Sequence, residues 1–493
     1  MRKRTLPIRP ILLVAAIAGW LIPASLAHAQ AKVPVDPRDQ EIQLLKSEIK
    51  LLENRVGTLE GLDQKVKVID RKLEVQEEVQ QQKALEMPII KASDQGFTFS
   101  SPPHNGDMPD YKINFGGILQ GDGRFFTSGR DKNVGSTFFL NRVRPILTGT
   151  VGKYYDFNIT PDFGQGRVVL QDAYLNVTYF KQAQLQAGKY KAPLDLERLQ
   201  SDRDLEFSER SEIQNLVPNR DTGIEIHSDS LFDNRLTYQV ALMNGVPNNT
   251  ATVDSDFNDG KDFVGRIFAT PFKLSERDWL KGLGFGFAGS YGDERNGTTS
   301  IYRTYGMSTW FSYTRGVTAS GLRTRLEPQL YYYWRSFGLL AEYAQDKHSL
   351  NRFGTFGAGL AKKLVNATDT FTDTGYVVQG SYLLTGEDAT YGWVKPYHPF
   401  DPRQGWWGGW EVAARISNNA AQTRQFRLGF ADPSLSAKTA TEFALGVNWY
   451  LSHNVKWQFD YANTFFNGGA GTIARPRDRP NESVFESQLQ ISF

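Results

Sequence analysis

The 493-residue chain has no cysteine, which excludes disulfides and thiolate metal sites. Beyond its N-terminal stretch it also lacks any apolar run of the ~20 residues that a membrane-spanning helix needs, and its mean hydropathy is −0.44. Histidine is scarce, and His28, His104, His227, His348, His398 and His453 fall at neither H-x-H nor H-x-x-x-H spacing, so no metal site is expected. His227-Ser228 and His453-Asn454 read as polar pairs at strand ends rather than as parts of a catalytic triad. The Gly-rich pieces 282–289 and 405–409 lack the strand–loop–helix setting of a phosphate cradle. No catalytic residue and no cofactor is therefore predicted. An excess of one charge is missing too: the net charge of +2 gives no reason to expect a nucleic-acid partner.

What is present starts with a leader. Arg2, Lys3, Arg4 and Arg9 precede an apolar core from Ile11 to Leu26, and Ala27-His28-Ala29 reads as a cleavage site before Gln30. Residues 1–29 are expected to be a signal peptide; a retained anchor is the alternative. Its removal takes away four basic groups and leaves 52 Lys+Arg against 54 Asp+Glu, so any charge preference must be local. After a short linker (30–38), residues 39–86 contain no aromatics. There Ile42, Leu45, Ile49, Leu52, Val56 and Leu59 step by three and four, a heptad seam that breaks near Gly57–Gly61. It resumes in a shifted frame at Leu62, Val66, Ile69 and Leu73. The pattern predicts an α-helical coiled coil that self-associates in the periplasm. An amphipathic helix lying on its own domain is the competing reading. Pro88 ends the helix, and 87–110 reads as a linker.

From Tyr111 to Phe493 the period changes to two. The last segment is the clearest: Phe485, Leu489, Ile491 and Phe493 share a face with Ser487, and Glu486, Gln488, Gln490 and Ser492 share the other. Asp172–Tyr179, Leu236–Leu242, Leu326–Trp334, Phe443–Leu451 and Val455–Tyr461 alternate in the same way. A β-sandwich also alternates, but here charges sit inside long strands, as a water-filled lumen allows. Aromatic runs at strand ends (331–334, Trp449-Tyr450, Phe465-Phe466) suit interfacial girdles. The fold class read from this pattern is all-β: an antiparallel transmembrane β-barrel over 111–493, of about 16 strands with 18 possible.

Several stretches resemble the phosphate-selective porin O and P family: KINFGGILQGDGRFF (112–126), FFLNRVRPILTGTV (138–151), LQDAYLNVTYF (170–180), LQAGKYKAPLDLERLQSDRDLEFSERS (185–211), GYVVQGSYLLTGE (375–387) and TEFALGVNWYLSHNVKW (441–457). The C-terminal aromatic Phe493 likewise looks like the assembly signal of outer-membrane barrels. The resemblance implies a homotrimeric 16-stranded outer-membrane porin, set among lipid and lipopolysaccharide, with a constriction loop in the lumen and basic side chains that pass small anionic solutes such as phosphate or polyphosphate. Carried over by position, the second-strand arginine pair becomes Asn141-Arg142 with Arg144 beyond. The basic residue after the loop's Leu-Glu is Arg198, the later Glu-Arg is Glu209-Arg210, and the acidic wall pair is Gln171-Asp172. A lysine cluster is absent.

Residues 193–221 are too long and too charged for an ordinary turn, and so are the candidate constriction. Arg198, Arg203 and Arg210 alternate there with Asp195, Asp202, Asp204, Glu206 and Glu209. A self-paired surface loop is the plainer alternative. Strand parity adds wall residues. If Val143 and Leu147 face lipid, then Arg142 and Arg144 face the lumen. Leu326, Leu330 and Trp334 outward put Arg323 and Arg325 inward, and Arg124 shares a face with Gln120 and Asp122. Facing lipid near the midplane would cost an arginine about 2–4 kcal/mol. The pore-lining set is thus Arg124, Arg142, Arg144, Asp172, Arg198, Arg203, Arg210, Arg323 and Arg325. Trp393–Trp410 reads as an ordinary aromatic-rich loop, with a ligand-stacking outer loop as the alternative. Passive diffusion is the leading functional reading. A structural barrel tied to the cell wall by its coiled coil and a barrel-borne enzyme or adhesin are the others.

Overall fold

A computed structural model describes residues 37–94, 96–102, 109–129, 134–229, 231–252, 259–356 and 363–493. The expected leader (1–29) and most of the 30–38 linker lie outside the described residues. The chain divides into two compact units, 1–84 and 85–493.

The first unit contains α1, Pro37–Glu86, whose 50 residues correspond to roughly 75 Å of helix. It runs unbroken through Gly57 and Gly61, so the frame shift in the heptads does not interrupt the backbone. Every seam residue from Ile42 to Leu73 is exposed.

The second unit opens with a hairpin, β1 (Ile89–Ser93) and β2 (Gly96–Ser100), inside the stretch expected to be a linker. The reason is local: Ile89-Ile90 and Phe97-x-Phe99 are good strand formers, and Gly96 takes φ +97 where a Cβ would meet Phe115 O.

The barrel wall follows as β3 (Tyr111–Ser128), β4 (Thr137–Val151), β5 (Tyr155–Asp162), β6 (Val169–Val177), β7 (Gln184–Lys191), β8 (Arg220–His227), β9 (Leu236–Met243), β10 (Asp262–Ala269) and β11 (Leu283–Gly297). Two short strands, β12 (Tyr302–Arg303) and β13 (Thr309–Phe311), pair with each other inside a loop. The wall then continues with β14 (Val317–Trp334), β15 (Phe337–Phe356), β16 (Lys363–Leu383), β17 (Gly409–Ala420), β18 (Ala437–Tyr450), β19 (Val455–Gly468) and β20 (Glu482–Ser492). Each wall strand pairs antiparallel with the next, and β20 pairs with β3. Among the described residues this closes a 16-stranded barrel, the lower of the two expected counts. Beyond the reach of β20, the remaining edge of β3 is taken by β2, with Phe97 opposite Phe115 and Ser100 opposite Lys112.

The barrel is apolar outside and polar inside. Along β20 Phe485, Leu489 and Ile491 are exposed, while Glu486, Gln488 and Gln490 are fully covered. The aromatic runs expected to form girdles are split by the pleat, because successive side chains point to opposite faces. Trp449 faces out and Tyr450 in; Phe465 faces out and Phe466 in. A bulge in β4 is one of the places where the alternation breaks. Gln120 lies opposite Arg142 and Gly121 opposite Leu140, which leaves Asn141 as the extra residue and buries both Asn141 and Arg142.

Candidate functional site

The loop between β7 and β8, residues 192–219, leaves the wall and fills the lumen. Its short helix α2 (Leu196–Leu199) begins at Asp195, whose side chain accepts from Arg198 N. Leu194, Leu196, Phe207, Ile213 and Leu216 anchor it and are almost wholly buried. Phe207 seats against small inward residues, Ala413, Ala444 and Ala462. The wall holds the loop's backbone as well. Glu342 accepts from Leu196 N at 2.6 Å and Glu197 N at 2.7 Å, and Lys456 Nζ donates to Leu205 O at 2.7 Å. Asn448 donates to Glu206 O at 2.9 Å. Bonds with one charged partner typically contribute ~1.5–3 kcal/mol each, so this loop is fastened rather than draped.

The loop bounds a cavity of about 510 Å³ on the side of the barrel away from Phe493. Six arginines line it: Arg142, Arg144, Arg167, Arg198, Arg210 and Arg303, together with Asp162, Glu209 and Glu212. Asp202 is the electrostatic hub behind the arginines. Arg144 and Arg210 pair with it closely, Arg142 lies at 3.3 Å and Arg220 at 3.8 Å. Burial alone would raise the Asp202 pKa, but Arg144, Arg210 and Arg142 outweigh it and hold the carboxyl well below its usual range. Two other loop carboxyls go the other way. Burial, then Glu411, pushes Glu206 up to about 8, and burial, then Glu442 and Glu482, pushes Glu212 well above the usual range. Glu206 is therefore largely protonated at neutral pH, which leaves the region more positive than a count of residues suggests.

The expected pore residues divide by position. Arg142, Arg144, Arg198 and Arg210 converge on this cavity. Arg124 lies beside it, donating to Glu486 at 2.7 Å and to Glu209 at 3.0 Å. Arg323 and Arg325 face inward elsewhere on the wall, paired with Asp346 and Glu294 and with Asp262 respectively. Arg203 points away from the cavity, bonds Asp204 and lies over the Trp393 ring. Asp172 holds Arg220 at 3.3 Å. Among them Arg198 differs in kind. It is 4% exposed, donates to Asn249 Oδ1 at 2.9 Å, and has no carboxylate within 4.0 Å among the described residues; its Nε has no partner.

Two contributors escaped the sequence reading. Arg415 crosses the lumen between Glu442, Glu197 and Glu209 O, over the Phe207 ring. The alternation of Val412 and Ile416 with Glu411 and Ser417 was the signal that could have placed it. Residues 298–316 form a second infolded loop, with Tyr302, Tyr305, Trp310 and Phe311 buried. Tyr305 Oη bonds Asp460 at 2.9 Å and Ser208 Oγ at 2.7 Å, joining it to the first loop. The Trp393–Trp410 stretch lies at the rim that carries Phe493. Its neighbour Tyr391 bonds Leu196 O from that side. A second cavity, of about 490 Å³, opens there beside Arg235, Lys273, Lys281, Tyr331, Tyr333 and Tyr391.

The family described as phosphate-selective porin O and P matches residues 113–493. Porin O of Pseudomonas aeruginosa is 24% identical over 372 residues, spanning 70% of this chain and 81% of that protein. Among solved structures, the outer membrane channel DcaP of Acinetobacter baumannii aligns with a TM-score of 0.47 at 10% identity, over 78% of this chain and 97% of its own. In-vitro folded OmpT, an outer membrane protein of Vibrio cholerae, aligns with a TM-score of 0.45 at 12% identity, over 78% and 98%.

Proposed function

The chain belongs to the phosphate-selective porin O and P family of outer-membrane porins, and from that premise we propose that it passes small hydrophilic anions by passive diffusion through a narrowed lumen. The observation that carries the proposal is Arg198: a buried guanidinium without an ion-pair partner among the described residues, on the wall of a cavity that also receives Arg142, Arg144 and Arg210. A charge held in a low-dielectric wall acts strongly on an ion passing it. Its neighbours are tied to Asp202, Asp162 and Glu209, so the preference is modest, and phosphate is one anion among several rather than a dedicated ligand. The rim carrying Phe493 is then the periplasmic one, and the cavity at 192–219 opens outward.

The test is the zero-current potential across planar bilayers in a KCl gradient. Wild-type protein is expected to favour chloride, and Arg198→Glu to move the potential toward cations, while Arg475→Glu on an exposed loop leaves it alone. An unchanged potential in Arg198→Glu removes the loop from the selectivity filter.

The exposed seam of α1 favours an additional role. A helix that leaves its apolar stripe in water acquires a partner, and we read it as a trimeric coiled coil in the periplasm that assists assembly or reaches toward the cell wall.

A further inference from the structure

Among the described residues two triads of carboxylates sit inside the barrel, and they differ in what lies between them. In the first, Asp122, Glu209 and Glu486, a guanidinium is already present: Arg124 donates to Glu486 through Nε at 2.7 Å and to Glu209 through Nη2 at 3.0 Å. The second joins Asp195 of the infolded loop to Glu327 on β14 and Glu342 on β15. One oxygen from each lies within 4.8 Å of the others. Nothing bonded to Glu327 offsets its charge. It is 0% exposed, and neither carboxylate oxygen has a hydrogen-bond partner among the described residues.

The arginines that stand near Glu327 are engaged elsewhere. Arg325 donates to Asp262, Ser290 and Asn248. Arg266 donates to Gln329 and Gln239, and Arg198 to Asn249. The other two carboxylates are held in place from behind. Glu342 accepts from Leu196 N and Glu197 N, and Asp195 accepts from Gln214 Nε2 at 2.9 Å. Their positions are thus fixed by the fold, while lone pairs remain free to face Glu327. A buried carboxylate without a partner is strongly disfavoured, and one grouped with two more is disfavoured further.

We propose that Asp195, Glu327 and Glu342 form a binding site for a divalent calcium ion that pins the infolded loop to the barrel wall. All three donors are hard oxygens, as calcium takes. Calcium is the better fit than magnesium, because it tolerates an irregular cage of protein oxygens, whereas magnesium demands near-ideal octahedral geometry and keeps several of its waters. The ion would join residues distant in sequence, one on the loop and two on adjacent strands, close to the root of α2.

The site is tested on full-length mature protein refolded without lipopolysaccharide, which itself binds calcium. After stripping with EDTA the protein is titrated calorimetrically with CaCl2, and its thermal midpoint is followed in parallel. One saturable site per chain with a dissociation constant at or below about 1 mM is expected, the range of extracellular calcium modules. Glu327→Gln and Asp195→Asn should each weaken binding by about tenfold or more, while Glu225→Gln, a buried carboxyl on β8 bonded to Gln239, should not. In EDTA the Glu327→Gln protein should melt no lower than wild type, and added calcium should raise the wild-type midpoint alone. A wild type without saturable binding, or a Glu327→Gln protein that binds like wild type, overturns the proposal. If Glu327→Gln does not fold, Asp195→Asn carries the same comparison, and unweakened binding there overturns it equally.

Discussion

Arg198 and Arg144 line the same cavity and are held in opposite ways. Arg144 is clamped between Asp162 at 2.6 Å and Asp202. Arg144→Ala takes the guanidinium from Asp162 and one of several from Asp202, and should lower the unfolding free energy by about 3 kcal/mol, read as an earlier urea or thermal midpoint. Arg198→Gln gives up one hydrogen bond to Asn249, about 1 kcal/mol, yet should remove most of the anion preference. If the two substitutions proved alike in both readouts, the distinction between structural and functional arginines would fail. A second residue-level consequence follows from Glu206. Its pKa is pushed up to about 8 by burial and Glu411, so the carboxyl is neutral at pH 7 and ionises as pH rises through that value. New negative charge in the loop should weaken anion preference between about pH 7 and 9, and Glu206→Gln should flatten that part of the profile. Strand parity made the wall residues legible, since Arg124, Arg142, Arg144, Arg323 and Arg325 all face inward. Parity says nothing of partners. That Arg323 is spent on Asp346 and Glu294 while Arg198 has no carboxylate among the described residues depends on how distant segments meet, which a single strand does not encode.

At the scale of elements, the wall is one kind of object and its infolded loops another. A strand between lipid and water must alternate, so its position can be read along the chain. The loop 192–219 was recognisable by length and charge, but 298–316 has no periodicity, and Tyr302, Tyr305, Trp310 and Phe311 would suit an aromatic surface loop equally well. What decides the matter is the space opposite: the small residues Ala413, Ala444 and Ala462 receive Phe207, and Tyr305 bonds Asp460 and Ser208 behind it. Phe207→Ala should therefore cost about 3–5 kcal/mol by opening a cavity among these groups. Replacing 299–315 by a short Gly-Ser turn should raise single-channel conductance, because buried aromatic bulk leaves the lumen. Conductance unchanged by that replacement would place the loop outside the ion path.

For the whole molecule, the net formal charge is a poor guide to the charge that faces the lumen. The polar interior is largely self-paired, and selectivity falls to the few groups left over. The helix α1 raises a question of assembly instead. Its seam is exposed along its length, and deleting 39–86 should lower trimer yield or heat resistance on native gels. A monomeric 39–86 peptide, together with normal assembly of the truncated barrel, would remove that role. The barrel's closing seam has a practical consequence. The last strand reaches Phe493, which exchanges backbone bonds with Gly117, and β2 begins on the same edge two residues further, opposite Phe115. The hairpin and the final strand lie end to end, like two planks butted on one joist. Residues added after Phe493 would have to prise Gly96 and Phe97 off that edge or turn sharply out of the sheet. A purification tag there should depress folded yield, whereas the same tag inserted after Thr472, on an exposed loop at the other rim, should be silent.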